Sequence, residues 1–129
     1  MVLAARSAQP GIAPEVLRSC ALFSAMDDAT LMAVARLVRS RRFRRHEVIF
    51  HEGDPGDSLF VIASGSVKIV LQSTAGEEAI IATLGQGDFF GELSVLDGAE
   101  RSATAVALEP TELGSLARAP FLELVETQP

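Results

Sequence analysis

Glycine-bearing turns interrupt the chain at intervals of roughly ten residues from about position 50 onward. Short runs rich in Val, Ile, Leu and Phe lie between these turns, and several of them alternate apolar with polar residues. Such runs are too short for typical helices, and their regular spacing is typical of an all-β sandwich or barrel. We therefore predict about eight strands, separated by turns at 52–57, 64–65, 73–76 and 85–87.

The first forty residues follow a helical period instead. Pro14 suits the first turn of a helix, and either Asp27 or Asp28 can cap a second one. Apolar residues then recur at helical spacing, at Leu31, Val34, Ala35 and Val38. We therefore predict two short helices before the strands, and the start of another helix at 120–126, after the last strand.

Length and composition narrow the possible classes of protein. At 129 residues the chain has room for one domain, placed at 14–129 after a loose lead-in at 1–13. The single cysteine, Cys20, rules out an intramolecular disulfide and a four-cysteine iron–sulfur cluster. No apolar run approaches the roughly 18 residues of a membrane helix, and none near the N-terminus resembles a signal peptide. We expect a cytoplasmic protein with no membrane contact.

Charge is unevenly distributed along the chain, whose net charge is −6. An acidic balance counts against broad nucleic-acid binding and against small anionic ligands. Six of the eleven basic residues are arginines between positions 36 and 45, whereas only three basic residues accompany fourteen acidic ones after position 45. The arginine cluster is either a patch for nucleic acid or an acidic partner, or a solvated helix end and edge strand whose charges block unwanted pairing.

The segment from 87 to 104 carries the most informative residues. Gly91 allows a close backbone approach to a ligand or a positive φ. A helical turn over 92–96 would point its free N–H groups in one direction and form a small anion cradle. Arg101, beside Ser102, has the side chain to fork onto a phosphate, and ionised Glu92 is a pure acceptor that suits a sugar hydroxyl. These residues together predict a ligand with one anionic end and one hydroxyl, such as a nucleotide.

At these residues the sequence resembles a known family. Gly91-Glu92-Leu93, followed after a short interval by Arg101-Ser102-Ala103-Thr104, looks like the phosphate-binding cassette of the cyclic nucleotide-binding domains. Three upstream segments, at 52–60, 64–67 and 85–90, also resemble that family's turn, its hairpin and its approach to the cassette. The resemblance covers nearly the whole chain. Among relatives, the chain looks most like the sensor half of CRP/FNR-type bacterial transcription regulators.

The resemblance implies a mainly β fold, a double-stranded β-helix or jelly roll with short flanking helices. It also implies a ligand-sensing regulatory domain and not an enzyme. Glu92 would bind the ribose 2′-hydroxyl and Arg101 the exocyclic oxygens of the cyclic phosphate, while Ser102 and nearby backbone N–H groups would complete the phosphate shell. The implied ligand is cAMP or cGMP, with cAMP favoured, and no further cofactor is expected. The implied ligand-binding residues are Gly91, Glu92, Leu93, Ser94, Arg101, Ser102 and Ala103.

In that family, base contacts come partly from a long helix after the β-roll, which also forms the dimer. Here the chain stops at Pro129, as that helix begins. A homodimer is therefore expected of the full-length parent, and DNA binding only through a domain absent from this chain. Phe89 and Phe90 could touch a base, but we expect one or both of them in the core.

Other interpretations stay open. The module could regulate a channel, a kinase or a transporter, because the cassette is shared among them. Arg101 and Glu92 could form a structural ion pair. A cupin-like metalloprotein would share the double-sheet roll but needs clustered ligands. We expect His46 and His51, the only histidines, to be solvated or hydrogen-bonded, and we expect no metal site. No Ser/His/Asp or Cys/His nucleophile set is visible in the sequence.

Overall fold

The computed structural model describes residues 12–21, 23–92, 95 and 98–127. Most of the predicted lead-in lies outside these residues. Helix α1 spans Pro14–Ser19 and α2 spans Asp28–Leu37, which confirms the two predicted helices. Helix α3 spans Arg118–Thr127 and begins two residues earlier than the sequence pattern indicates. Among the described helices, none is long and apolar enough to cross a membrane.

Asp27, one of the two predicted caps, begins α2. Its carboxylate accepts a hydrogen bond from the Thr30 N–H at 2.8 Å and so provides a partner for a backbone donor of the first helical turn. The hydrogen bond to Thr30 also lowers the pKa of the Asp27 carboxyl group. The helix therefore starts at a short side chain that accepts a hydrogen bond, just before the first apolar residues that recur at helical spacing.

Eight strands within the described residues confirm the predicted β architecture. They are β1 Arg39–Phe43, β2 Val48–Phe50, β3 Ser58–Ser64, β4 Val67–Gln72, β5 Glu78–Leu84, β6 Phe89–Phe90, β7 Thr104–Ala107 and β8 Thr111–Ala117. They form two four-stranded antiparallel sheets, in the orders β1-β8-β3-β6 and β2-β7-β4-β5. Most neighbours in a sheet are distant in sequence, and this double sheet is the jelly roll that the resemblance implies.

Strand β3 lies at the centre of the packing because both of its faces are buried. Leu59 and Val61 join the helices in one apolar cluster, together with Leu17, Val34 and Phe121. The alternate residues Phe60 and Ile62 face the second sheet, in a cluster that also contains Phe43, Val67, Phe90 and Leu113. Since successive side chains of a strand point to opposite faces, this short continuous apolar run connects two halves of the core.

Besides the start of α3, two strand boundaries differ from the sequence-based expectation, and both lie near one cavity. Phe89–Phe90 form β6, which pairs with Val61 and Phe60 but is too short to show any alternation. Phe90 is buried as expected, and Phe89 packs against the core while partly exposed. The predicted strand at 102–108 narrows to Thr104–Ala107, because the chain leaves the sheet before Thr104.

Replacing Thr111 with valine tests the hydrogen bonds that join β8 to the turn between β3 and β4. The Thr111 hydroxyl is buried and accepts from the Ser66 N–H at 3.2 Å, and it lies 2.8 Å from the Glu109 carbonyl oxygen. Valine has a similar shape but leaves these groups without that partner. We expect the free energy of unfolding in urea to fall by about 1–3 kcal/mol.

Thr83→Val is the matched control for this substitution. Thr83 is exposed on β5, and its hydroxyl has no recorded partner in the described part of the chain. We expect its replacement to change the free energy of unfolding by less than about 0.5 kcal/mol. Equal losses in the two variants would contradict the role given to the Thr111 hydroxyl.

Candidate functional site

A concave site lies where β2, β4, β6 and the segment before β7 meet. Its cavity has a volume of about 110 Å³ and is lined by Phe50, Ile69, Phe90, Gly91, Glu92, Arg101, Ser102 and Ala103. The structure thus brings together five of the seven residues singled out in the sequence, at positions 91, 92 and 101–103. The other two, Leu93 and Ser94, lie outside the described residues.

Gly91 turns the chain from β6 into the cavity wall. Its φ of +86° is in the left-handed region, which glycine adopts at little cost. Glu92 and Val95 then have helical backbone, and the Val95 N–H lies 3.4 Å from the Gly91 carbonyl oxygen. Of the helical turn predicted at 92–96, these are the two described residues, and both have the backbone that the prediction requires.

Arg101 is the central side chain of the site. It is 4% exposed, although it carries a positive charge. Its Nη1 donates to the Gly91 carbonyl oxygen at 3.0 Å, and its Nη2 donates to the Ser58 carbonyl oxygen. The Nε atom is buried and has no hydrogen-bond partner in the described part of the chain. A buried donor without a partner is costly, so an acceptor that entered the cavity would be stabilised there.

The backbone of Arg101 is held as firmly as its side chain. Its N–H donates to the Asp54 carbonyl oxygen at 2.8 Å, and its own carbonyl oxygen accepts from the Gly53 N–H at 2.8 Å. The turn at 52–57, which the sequence marks by its glycines and acidic residues, therefore fixes the segment before β7 that carries the arginine. A rigid backbone of this kind limits the positions that the guanidinium can take.

Aromatic and acidic groups surround the buried guanidinium. Burial lowers the pKa of Arg101, while the charges of Asp57 and Asp54 act in the opposite direction. The guanidinium carbon lies 4.3 Å from the centre of the Phe50 ring and 5.7 Å from that of Phe60. These ring faces attract a cation and exclude water from it. The site therefore keeps one strong donor group in a partly desolvated position.

The alternative of a structural ion pair with Glu92 is not what the structure shows. Within the described residues, the recorded ion pairs do not include Arg101, and its recorded side-chain hydrogen bonds go to backbone carbonyl oxygens. Glu92 is half-buried in the cavity wall. The carboxylate of Glu92 and the guanidinium of Arg101 thus present an acceptor and a donor to the same space.

The metal-based alternative finds no support in the part of the chain that is described. No group of three or more His, Cys, Asp and Glu residues is arranged there to hold a metal ion. His46 and His51 are both exposed, and His51 Nδ1 lies 3.9 Å from a carboxylate oxygen of Asp54. Neither histidine is among the residues that line the cavity.

Sequence reasoning missed much of the apolar lining. The sequence pattern places Phe50 and Ile69 in predicted strands and gives them no role in a site, and it favours a core position for Phe90. Their contribution depends on β2 and β4 both pairing with β7, although the paired residues lie at least 34 positions apart in the sequence. No local pattern reveals such pairing between distant segments. The alternation along each strand could have shown which side chains point inward, but not which of them border the cavity.

The fold and the site together define a β-roll domain that binds a small ligand. Residues 40–128 match the cyclic nucleotide-binding domain family, and the chain belongs to that family. It is therefore a cyclic nucleotide-binding regulatory domain.

Several relatives have been characterised by sequence or structure. The cyclic AMP receptor protein of Thermus thermophilus is 44% identical over 89 residues, which are 69% of this chain and 41% of that protein. The N-terminal domain of a transcriptional regulator from Streptomyces coelicolor superposes with a TM-score of 0.79 at 35% identity, over 88% of this chain and 79% of that one. The regulatory domain of Toxoplasma gondii PKA, crystallised with cAMP, gives a TM-score of 0.80 at 30% identity, over 86% and 42%.

Replacing Gly91 with alanine tests whether the backbone there must approach the guanidinium. A Cβ at this position would lie 2.6 Å from Arg101 Nη1 and 3.3 Å from the Ser58 carbonyl oxygen. We expect a loss of unfolding free energy of about 1–2 kcal/mol from the left-handed backbone and about 1 kcal/mol more from the displaced hydrogen bond. Thermal and urea unfolding measure the sum.

Gly53→Ala is the matched control, because Gly53 has a φ of +91° and no atom within 4 Å of the added Cβ. The Gly53→Ala variant has the free-energy cost of a left-handed backbone but no close contact between the added Cβ and another atom. We expect Gly53→Ala to be the less destabilising of the two variants. If it destabilises as much as Gly91→Ala does, the contact with Arg101 does not restrict position 91.

Proposed function

We propose that this domain senses cAMP and that the site around Arg101 binds the cyclic phosphate and the ribose. The observation that carries the proposal is the buried guanidinium, whose Nε–H lacks a partner at the wall of a concave site. A phosphate oxygen is a strong, charged acceptor that would satisfy this donor. The cAMP named with the Thermus and Toxoplasma relatives supports the choice of ligand.

At the phosphate end, Arg101 keeps donors available despite its two contacts with carbonyl oxygens. A guanidinium has five N–H groups, and the recorded hydrogen bonds use two of them. The Ser102 side chain is exposed beside it, and Ala103 is buried against the cavity. Backbone N–H groups that follow Gly91 would add dipoles with their positive ends toward the anion. By their place in the cassette, Leu93 and Ser94 would contribute to this cradle.

At the sugar end, Glu92 supplies the acceptor. An ionised carboxylate can accept a hydrogen bond from a ribose 2′-hydroxyl but repels a phosphate. Glu92 and Arg101 both line the cavity, so they would bind opposite ends of one ligand. This division of roles lets a single arginine hold an anion in a domain whose net charge is −6.

The base would lie at the mouth of the site. The cavity of about 110 Å³ is smaller than the roughly 300–1,000 Å³ of typical small-molecule pockets, so it suits the phosphate and sugar and leaves the base outside. Phe50, Ile69 and Phe90 give the site an apolar side. Groups that follow β8, where α3 begins, would then complete the selection between adenine and guanine.

We further propose that residues 14–129 are the sensor domain of a CRP/FNR-type transcription regulator. The chain spans less than half of the Thermus relative's length. Dimerisation and DNA binding would belong to other parts of the parent protein, which would act in the cytoplasm. Sequencing the reading frame after Pro129 tests this proposal: a long amphipathic helix and a helix-turn-helix would support it.

A second candidate is the regulatory module of a kinase or of another effector. The structural similarity to the Toxoplasma kinase regulatory domain, with a TM-score of 0.80, supports this alternative as far as similarity of fold can support a function. Fold likeness does not identify the effector, because one module serves many output domains. A catalytic or channel domain encoded after Pro129 would replace the transcription regulator as the proposal.

Glu92→Gln tests the sugar end. The substitution keeps the shape of the side chain but removes its charge. We therefore expect roughly tenfold weaker binding of cAMP, which corresponds to the loss of one charge-assisted hydrogen bond. Wild type should bind cAMP more tightly than 2′-deoxy-cAMP in calorimetric titration, whereas the variant, whose amide oxygen is a weaker acceptor, should discriminate less between the two. Glu123→Gln, an exposed position on α3, is the control. Unchanged discrimination in Glu92→Gln would remove Glu92 from the ribose site.

Arg101→Lys tests the phosphate end. Lysine keeps the positive charge but has no planar fork, so it is expected to weaken cAMP binding by about tenfold to a hundredfold. Arg41→Lys is the control, since the Arg41 guanidinium lies 5.1 Å from the centre of the Phe43 ring, away from the cavity. Thermal unfolding shows whether each variant is folded. Binding of cAMP and cGMP at wild-type affinity by folded Arg101→Lys would refute the assignment.

A further inference from the structure

A second charged surface lies on the first sheet, away from the cavity lining. We call it the arginine strip, and its members are Arg36, Arg39, Arg41, Arg42, Arg44 and Arg45. It runs from the last turn of α2 along β1 into the following turn, and all six side chains are exposed. Six like charges within ten residues repel one another, which destabilises the folded chain unless an opposite charge compensates for them.

The nearby carboxylates do not neutralise the strip. Glu112 lies opposite Arg42 in the β1–β8 register, but its carboxylate accepts from the Ser40 hydroxyl at 2.7 Å. The Glu47 carboxylate accepts from the backbone N–H of Arg44 at 2.9 Å. Within the described residues, the recorded ion pairs include none of the six arginines. The positive charge therefore faces solvent.

Strand β1 also offers backbone groups. Among the residues that the structure describes, it is the edge strand of its sheet and pairs only with β8. Every second residue of an edge strand directs its N–H and C=O away from its neighbour, where another strand can bind them. In the described part of the chain, no recorded backbone hydrogen bond occupies this outer side of β1.

We propose that β1 docks an acidic, extended peptide segment of a partner protein, which adds to the first sheet as a further strand. Such strand addition takes its affinity from backbone hydrogen bonds and its specificity from alternate side chains. Arg39 and Arg41 would contact acidic residues on one face of the added strand, and Arg42 would do so on the other face. The Arg41 guanidinium carbon lies 5.1 Å from the centre of the Phe43 ring, a cation–π contact that restricts its movement.

The structure favours this occupant over three others. A second copy of β1 would bring arginines opposite arginines, which is destabilising. A nucleic acid long enough to extend past the strip would meet a chain with three basic and fourteen acidic residues after position 45. The strip has no exposed aromatic residue on which bases could stack, because Phe43 is buried. An anionic membrane would use the charges but leave the edge hydrogen bonds unmade.

Fluorescence anisotropy with three labelled peptides tests the proposal on the intact chain. The first peptide alternates glutamate with valine over about the length of β1 and its flanking turn. The second carries glutamine in place of each glutamate. The third keeps every glutamate but has N-methyl groups on alternate amides, so that it keeps its charge and loses its backbone donors. We expect binding of the first peptide and at least about tenfold weaker binding of the other two.

Variants of the strip complete the test. Arg39→Glu, Arg41→Glu and Arg42→Glu combined should weaken binding of the first peptide by at least about tenfold, whereas lysine at the same three positions should retain more of it. Thermal unfolding checks that each variant folds. If the glutamate variant does not fold, the N-methylated peptide on wild type decides the matter.

Three results would overturn the proposal. The first is equal affinity for the N-methylated and unmodified peptides, which would mean that charge alone is read. The second is wild-type peptide affinity in the folded glutamate variant. The third is tighter binding, lost in that variant, of a single-stranded oligonucleotide or of phosphatidylserine vesicles at the same salt concentration, which would assign the strip to nucleic acid or to membrane.

Discussion

The buried guanidinium of Arg101 is the interaction on which the site depends. A charge in a desolvated position is costly unless hydrogen bonds and nearby charges compensate for it. Here the compensation comes from the carbonyl oxygens of Ser58 and Gly91 and from the ring face of Phe50. Ser58 begins β3, and Gly91 follows β6. One side chain thus joins the central strand, the short edge strand and the start of the cassette. The hydrogen bonds that it makes to carbonyl oxygens leave its buried Nε–H without a partner in the described part of the chain.

Local patterns in the sequence predicted most elements, because each carries its own signal. The glycine turns separated the strands, and the Asp27 cap marked the start of α2. Of the candidate site, the sequence predicted only the residues that lie in one contiguous segment, from Gly91 to Ala103. Its opposite wall, Phe50 and Ile69, comes from strands that meet only through pairing of distant segments. Such pairing follows from burial of whole sheet faces and from loop closure, and no window of neighbouring residues encodes it.

The excess of acidic residues in the chain has a different meaning once the positions of the charges in the structure are known. The net charge of −6 is the sum of a strongly basic stretch, 36–45, and an acidic remainder. A small anion is bound by donors at hydrogen-bond distance, where one desolvated arginine outweighs more distant, screened carboxylates. An extended polyanion responds instead to the charge averaged over its whole length. The acidic remainder therefore opposes binding of a long polyanion much more than binding of one cyclic phosphate.

The two proposed arginine sites would select different anions through shape, since their charged groups are the same. Arg101 is enclosed, fixed by its own backbone contacts and able to reach only an acceptor that enters the cavity. The arginines of the strip stand on an open edge, where solvent screens each charge and a single pair contributes little. Useful affinity at the strip must then come from several pairs together with backbone hydrogen bonds, which requires an extended partner. Under the two proposals, the same residue type would bind a small ligand where it is buried and a peptide strand where it is exposed.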